Sequence, residues 1–230
     1  MLGPALLLSL ATTAAHAAPI FFGGFGHMTQ GFLLGDPTGM ATELDSDGGG
    51  SPHNALLIGG GGRMIIPGGV VLGGHGFGLE GLGGDGTGGS SQVSGGGGGF
   101  DVGWAAINDG RRLIYPLAGV TFTGVDVLVQ NHAEARKVGN YAMVPGDRVE
   151  MTGGGVALDF GVALTQLLWG DEGGGMIVGA QMGYLLPVGG GTWTAKGGAE
   201  ISGVDGSTNG LYFRVNVGGG GGFSRREMRR

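Results

Sequence analysis

Large apolar residues recur at every second position over several stretches of the chain. The cleanest stretch is 155–165, where Val156, Leu158, Phe160, Val162 and Leu164 alternate with Gly155, Ala157, Asp159, Gly161, Ala163 and Thr165. A β-strand sends successive side chains to opposite faces, so this stretch has one large apolar face and one small or polar face. Leu211, Phe213, Val215 and Val217 repeat the design against Tyr212, Arg214, Asn216 and Gly218. Met176, Val178, Ala180, Met182, Tyr184 and Leu186 repeat it against Gly179, Gln181 and Gly183. Phe100, Val102 and Trp104 do so against Asp101, Gly103 and Ala105, and Val120 and Phe122 against Gly119, Thr121 and Thr123. Helical periodicity is nearly absent, because glycine runs interrupt the chain every dozen or so residues and each interior glycine costs a helix about 1 kcal/mol against alanine.

Three further strands are predicted at about 20–33, 55–66 and 69–80, which makes eight. Their connections alternate in length. Ile66-Pro67-Gly68-Gly69, Asn108-Asp109-Gly110-Arg111 and Trp169-Gly170-Asp171-Glu172-Gly173 are turn-sized and carry the Gly, Pro, Asn and Asp that turns require. The connections near 34–54, 81–92, 125–149 and 187–209 are long. Short turns and long loops therefore fall at opposite ends of an antiparallel up-and-down eight-stranded β-barrel, an all-β fold.

Composition sharpens this picture. Glycine fills 60 of 230 positions, against roughly 7% in an average protein, and only 13% of residues are charged. No collagen period accompanies the glycine. The net charge is −6, and four of the twelve basic residues (Arg225, Arg226, Arg229, Arg230) crowd the last six positions, so no basic face exists for nucleic acid. Without cysteine there is no disulfide, thiolate metal site or cysteine nucleophile. Leu2 to Ala14 form a short apolar run, and Ala15-His16-Ala17 has the small-x-small pattern of signal peptidase cleavage. The expected organisation is a signal peptide at 1–17, a barrel at 18–223 and a short basic periplasmic tail at 224–230.

A signal peptide, eight alternating strands, short turns at one end and long loops at the other resemble the small outer-membrane β-barrels of Gram-negative bacteria, the OmpA-type and OmpX-type group. The resemblance spans about Ile20 to Phe223. Phe223 keeps the parity of Leu211, Phe213, Val215 and Val217, similar to the terminal aromatic that such proteins present to the barrel assembly machinery. It implies a transmembrane barrel in the bacterial outer membrane, with membrane lipid and that machinery as partners. The face opposite the apolar one agrees: it carries Gly, Ala, Thr, Asn and Gln rather than the Lys and Glu of a solvated surface. The alternative is a secreted glycine-rich β-protein outside the membrane.

Eight strands enclose room for side chains but not for a wide pore. Asp101, Asp159 and Arg214 share the inward face, and Arg63 joins them if its strand has the matching parity, which predicts an internal ion-pair network that fixes register. Trp104, Trp169, Tyr184 and Tyr115 lie near strand ends and suit interfacial aromatic belts. His75 reads as a lining residue. Candidate chemistry is sparse. With this much glycine a G-x-G-x-x-G match is uninformative, no GK[ST] follows a glycine loop, and no Ser lies in a G-x-S-x-G elbow. Glu43, Asp45, Asp47 and Gly48 imitate the start of a calcium loop, but Asn54 stands where a bidentate Glu is needed, so a solvated acidic loop is expected. His53 and His132 lie in long loops with Ser51, Asp45, Asp47 and Glu134 nearby, at spacings that define no catalytic set. The sequence therefore predicts a structural, adhesive or surface-interaction protein with no catalytic, cofactor or metal site. A barrel enzyme or small channel is the less favoured alternative.

Overall fold

A computed structural model describes residues 22–46, 50–132, 136–138, 141–171 and 174–223. The expected signal peptide and basic tail, and residues Asp47, Gly48, Glu134, Glu172 and Gly173, lie outside them. Twelve strands and one short helix follow in order: β1 (Phe22–Asp36), α1 (Ala41–Ser46), β2 (Asn54–Ile65), β3 (Val70–Leu82), β4 (Gly89–Trp104), β5 (Ile107–Asn108), β6 (Arg112–Asn131), β7 (Arg136–Val138), β8 (Tyr141–Met143), β9 (Arg148–Asp171), β10 (Gly174–Ala195), β11 (Glu200–Gly206) and β12 (Asn209–Phe223). Eight of them close a ring in which every neighbour is antiparallel: β1, β2, β3, β4, β6, β9, β10, β12 and back to β1. Closure pairs the whole of β1 with β12, from Phe22↔Phe223 to Asp36↔Asn209, so the ring leaves no seam of unpaired backbone. β5 extends the short-turn end, β11 flanks the far end of β10, and β7 and β8 form a hairpin of their own.

The predicted faces hold. Phe160, Val162 and Leu164 are exposed on the outside of β9, whereas Ala157, Asp159, Ala163 and Thr165 are buried inside. On β12, Leu211, Phe213, Val215 and Val217 point out, and Tyr212, Arg214 and Asn216 point in. The barrel thus turns its apolar side chains outward over most of its height.

Towards the long-loop end this polarity inverts. Val125, Val127 and Val129 of β6 and Val149 and Met151 of β9 are buried inside, while Asp126, Gln130, Arg148, Glu150 and Thr152 are exposed outside. The connections predicted at 125–149 and 187–209 are shorter than that. β6 continues to Asn131, β9 starts at Arg148 and β10 runs to Ala195. The strands cross from an apolar-out to a polar-out environment without a break, which hides their continuation from a search for one constant face.

Two of the three short turns fall within the described residues and match expectation. Between β2 and β3, Gly68 and Gly69 take φ of 99° and 85°, which L side chains adopt only under strain. Before β6, the Asp109 carboxylate accepts the N–H groups of Arg111 and Arg112 at 3.0 and 2.7 Å, and these bonds hold its carboxyl below the usual range.

Candidate functional site: a polar belt sealed inside the barrel

The cross-strand rows of the barrel interior explain much of the glycine. In one row Arg63 of β2 faces Gly73 of β3, which faces Asp101 of β4, then Gly119 of β6, then Asp159 of β9. In the next row His27, Gly61, His75, Gly99 and Thr121 follow one another, and in a third Thr29, Gly59, Phe77, Gly97, Thr123 and Gly155. Along these stretches each inward side chain is separated from the next by a glycine, so a narrow interior is filled without overpacking. At Gly73 an added Cβ would meet the Asp101 carboxylate at 2.5 Å.

These rows hold a connected polar belt. The Arg63 guanidinium lies 3.5 Å from Asp101 through Nε and donates from Nη2 to Gln181 Oε1 at 2.6 Å. Gln181 Nε2 donates to the Tyr212 hydroxyl at 2.8 Å, which in turn donates to Asp159 Oδ1 at 2.6 Å. His75 Nδ1 sits 3.5 Å from Asp101 Oδ2, and its Nε2 lies 3.4 Å from Thr121 Oγ1. Thr29 donates to Asn216 Oδ1 at 2.7 Å. Arg63, Asp101, Asp159, Gln181, Tyr212 and Arg214 are all buried.

Arg63, Asp101, Asp159 and Arg214 therefore meet inside as their parity predicted, with one change of partner. Arg214 does not bond the carboxylates. Its guanidinium lies over the rings of Tyr212 at 4.4 Å and Phe77 at 5.0 Å, and its Nε and Nη2 meet no hydrogen-bond acceptor among the described residues. Tyr212 has taken the place beside Asp159. Sequence reasoning missed Gln181 and Tyr212 as the links of the chain, although their position on the small face was visible in the alternation.

Apolar clusters close the belt at both ends. Phe25, Ile65, Val71, Leu113, Tyr115, Leu117, Ala163 and Ile177 pack beneath it at the short-turn end. Tyr115 is a correction: it is fully buried inside with its ring 5.7 Å from the Arg63 guanidinium, not in an interfacial belt, because it shares parity with Leu113 and Leu117. Trp104, Trp169 and Tyr184 do point outward. At the long-loop end Leu33, Leu57, Leu79, Val127 and Val129 are joined by side chains that the connections fold inward: Met40 and Leu44 from α1 and its approach, Met143 from β8, and Trp193 and Ile201 from β10 and β11. Asp36 holds the first of these in place. Its Oδ1 accepts the N–H groups of Thr38 and Gly39 and the Thr38 hydroxyl, and its Oδ2 accepts the Ala41 N–H.

The loop candidates resolve differently. Glu43 and Asp45 sit on the short helix α1 and not in the solvated loop expected there. Asp45 is engaged through both oxygens, by the Ser51 N–H at 2.7 Å and by His53 Nε2 at 2.9 Å. The Ser51 hydroxyl is buried without a hydrogen-bond partner among the described residues, so it does not complete a relay with His53. His132 is exposed and donates its backbone N–H to the Gly88 carbonyl. His75 lines the interior as predicted, together with His27.

No protein-family model matches the chain, and no curated protein matches it. Solved structures do match. The crystal structure of a major outer membrane protein from Thermus thermophilus aligns over 90% of this chain and 100% of its own, at 9% identity and a TM-score of 0.50. The outer membrane protease OmpT of Escherichia coli is 11% identical over 89% of this chain and 95% of its own, with a TM-score of 0.38. CarO of Acinetobacter baumannii is 13% identical over 89% and 98%, with a TM-score of 0.37. The likeness to the Thermus protein shows that the chain has the fold of an outer-membrane β-barrel, the architecture its strand pattern resembled.

Proposed function

We propose that the protein resides in the bacterial outer membrane as a closed barrel and acts through its projecting rim and loops, in a structural, adhesive or surface-interaction role. The observation that carries this reading is the interior: a polar belt of charge pairs and glycines, with apolar clusters above and below it. Such an interior lacks a continuous polar lining from end to end, which favours a structural role over a channel. Arg63 is paired with Asp101 and linked through Gln181 and Tyr212 to Asp159, which favours register-keeping over catalysis. Outer-membrane lipid and the barrel assembly machinery are the partners in this reading, and the outward apolar wall supplies the lipid contact.

Two measurements test it. The chain has no cysteine, so single cysteines can be placed at each position from Gly155 to Thr165 without a background thiol. Fluorophores at Phe160, Val162 and Leu164 should be quenched by brominated lipid, and those at Asp159, Gly161 and Ala163 should not. Equal quenching at both parities, or none at either, would remove the barrel from the membrane. In planar bilayers the reconstituted protein should show no conductance steps, and reproducible steps would refute the closed interior.

A further inference from the structure

The polarity inversion creates a second feature, on the outside of the wall. Glu80, Ser94, Asp126, Thr152 and Thr194 stand in register across β3, β4, β6, β9 and β10, all facing outward. One residue pair below them, Gly78, Gly96, Gly124 and Gly154 form a matching outward row with no side chains. Glu80, Ser94 and Asp126 of the upper row line a cavity of about 970 Å³, together with Gln92, Arg148 and Glu150. That volume is in the range of small-molecule sites, roughly 300–1,000 Å³. We infer that this groove seats the sugar head group of a glycolipid in the leaflet at the long-loop end.

The lining selects for hydroxyl groups. Carboxylates at Glu80 and Asp126 accept, Arg148 and Lys196 donate, and Gln92 and Ser94 do both. Charges of both signs are interleaved, so neither a bare anion nor a bare cation finds a uniform field, whereas a ring of hydroxyls can donate and accept at each position. Part of the array is already oriented: the Thr152 hydroxyl donates to Asp126 at 2.6 Å, and Lys196 pairs with Glu150. Below the lining the wall is bare at Gly124, where an added Cβ would meet nothing within 4 Å.

The position selects for a lipid-borne sugar over a soluble one. Directly below the glycine row the same wall carries Phe122, then Phe100 and Val102, on its outward apolar face. An occupant of the groove therefore has polar partners at one end and membrane-facing apolar surface at the other, the two halves of an amphiphile.

This inference rests on the membrane reading above. It is tested with the full-length barrel in phosphatidylcholine nanodiscs containing monoglucosyl diacylglycerol, released and weighed by native mass spectrometry. The glucosyl lipid should be carried over about tenfold above its share of the bilayer. The variant Glu80→Leu/Asp126→Leu should lose that enrichment, and Gln30→Leu on the opposite wall should keep it. Heat-dependent migration in cold detergent gels establishes that each variant is still a closed barrel. Methyl glucoside in large excess should not displace the lipid. Carry-over at the bulk ratio, enrichment retained in the double variant, or full displacement by methyl glucoside would each overturn the inference while leaving the membrane reading intact. Failure of the wild type to enter the discs would overturn both.

Discussion

Replacing Arg63 by methionine should destabilise the barrel by about 3–5 kcal/mol, the cost of breaking a buried ion pair by removing one partner. The side chain it removes reaches two strands: Nε faces Asp101 on β4, and Nη2 donates to Gln181 on β10. Without it the Asp101 carboxylate keeps, among the described residues, His75 at 3.5 Å, and Gln181 loses the donor that orients its amide towards Tyr212. Urea unfolding from lipid vesicles, followed by tryptophan fluorescence, measures the loss. The double variant Arg63→Met/Asp101→Leu should recover a large part of it, because removing both charges also removes the unpaired one. A single variant as stable as the wild type would mean that water, not the pair, solvates Asp101. The Arg63–Gln181–Tyr212–Asp159 chain would then have no role in holding the wall.

The second large effect separates two glycines only a short way apart on the barrel wall. Gly99→Ala should fail to fold or lose about 3 kcal/mol, whereas Gly124→Ala should be neutral. A Cβ on Gly99 would collide with the Val120 carbonyl oxygen and stand 3.0 Å from the Thr121 Cα, both backbone atoms of the neighbouring strand that cannot turn aside. At Gly124 the same methyl group points outward and meets nothing within 4 Å. Neither glycine has positive φ, so the difference is one of space and not of backbone strain. Refolding yield into vesicles and the urea midpoint compare the two. Equal tolerance would show that the inward rows are less tightly packed than their geometry requires.

The two predictions address one design from opposite sides. A narrow ring of eight strands leaves little volume inside, and this chain fills it with a few long polar side chains set between glycines. Arg63, Asp101 and Asp159 tie strands across the interior through Gln181 and Tyr212, and the glycines let them fit. The polar outer rim is then free of that task, and the groove of Glu80, Asp126 and Arg148 lies on it.

The alternation of single strands was enough to determine the number of barrel strands, their antiparallel order and which face of each is apolar. Strand parity is a local property: Val156 to Leu164 must share a side because the pleat repeats every two residues. For the same reason the inward placement of Asp101, Asp159 and Arg214 could be read in advance, and that of Arg63 once its parity was chosen. Three things depended on the tertiary structure. The extension of β6 and β9 through 125–131 and 148–154 was hidden because the side that faces solvent changes character where the wall leaves its apolar band, and only the closed sheet shows that band's edge. The choice of Tyr212 over Arg214 as the partner of Asp159 was set by reach across the interior, since residues on one inward face meet according to ring curvature and side-chain length. The closing of the long-loop end by Met40, Leu44, Met143 and Trp193 required segments far apart in sequence to converge on one apolar mouth, and no local pattern encodes convergence. Local sterics and the two-residue pleat specify each strand; the order in which eight of them close around so small a volume decides what touches inside.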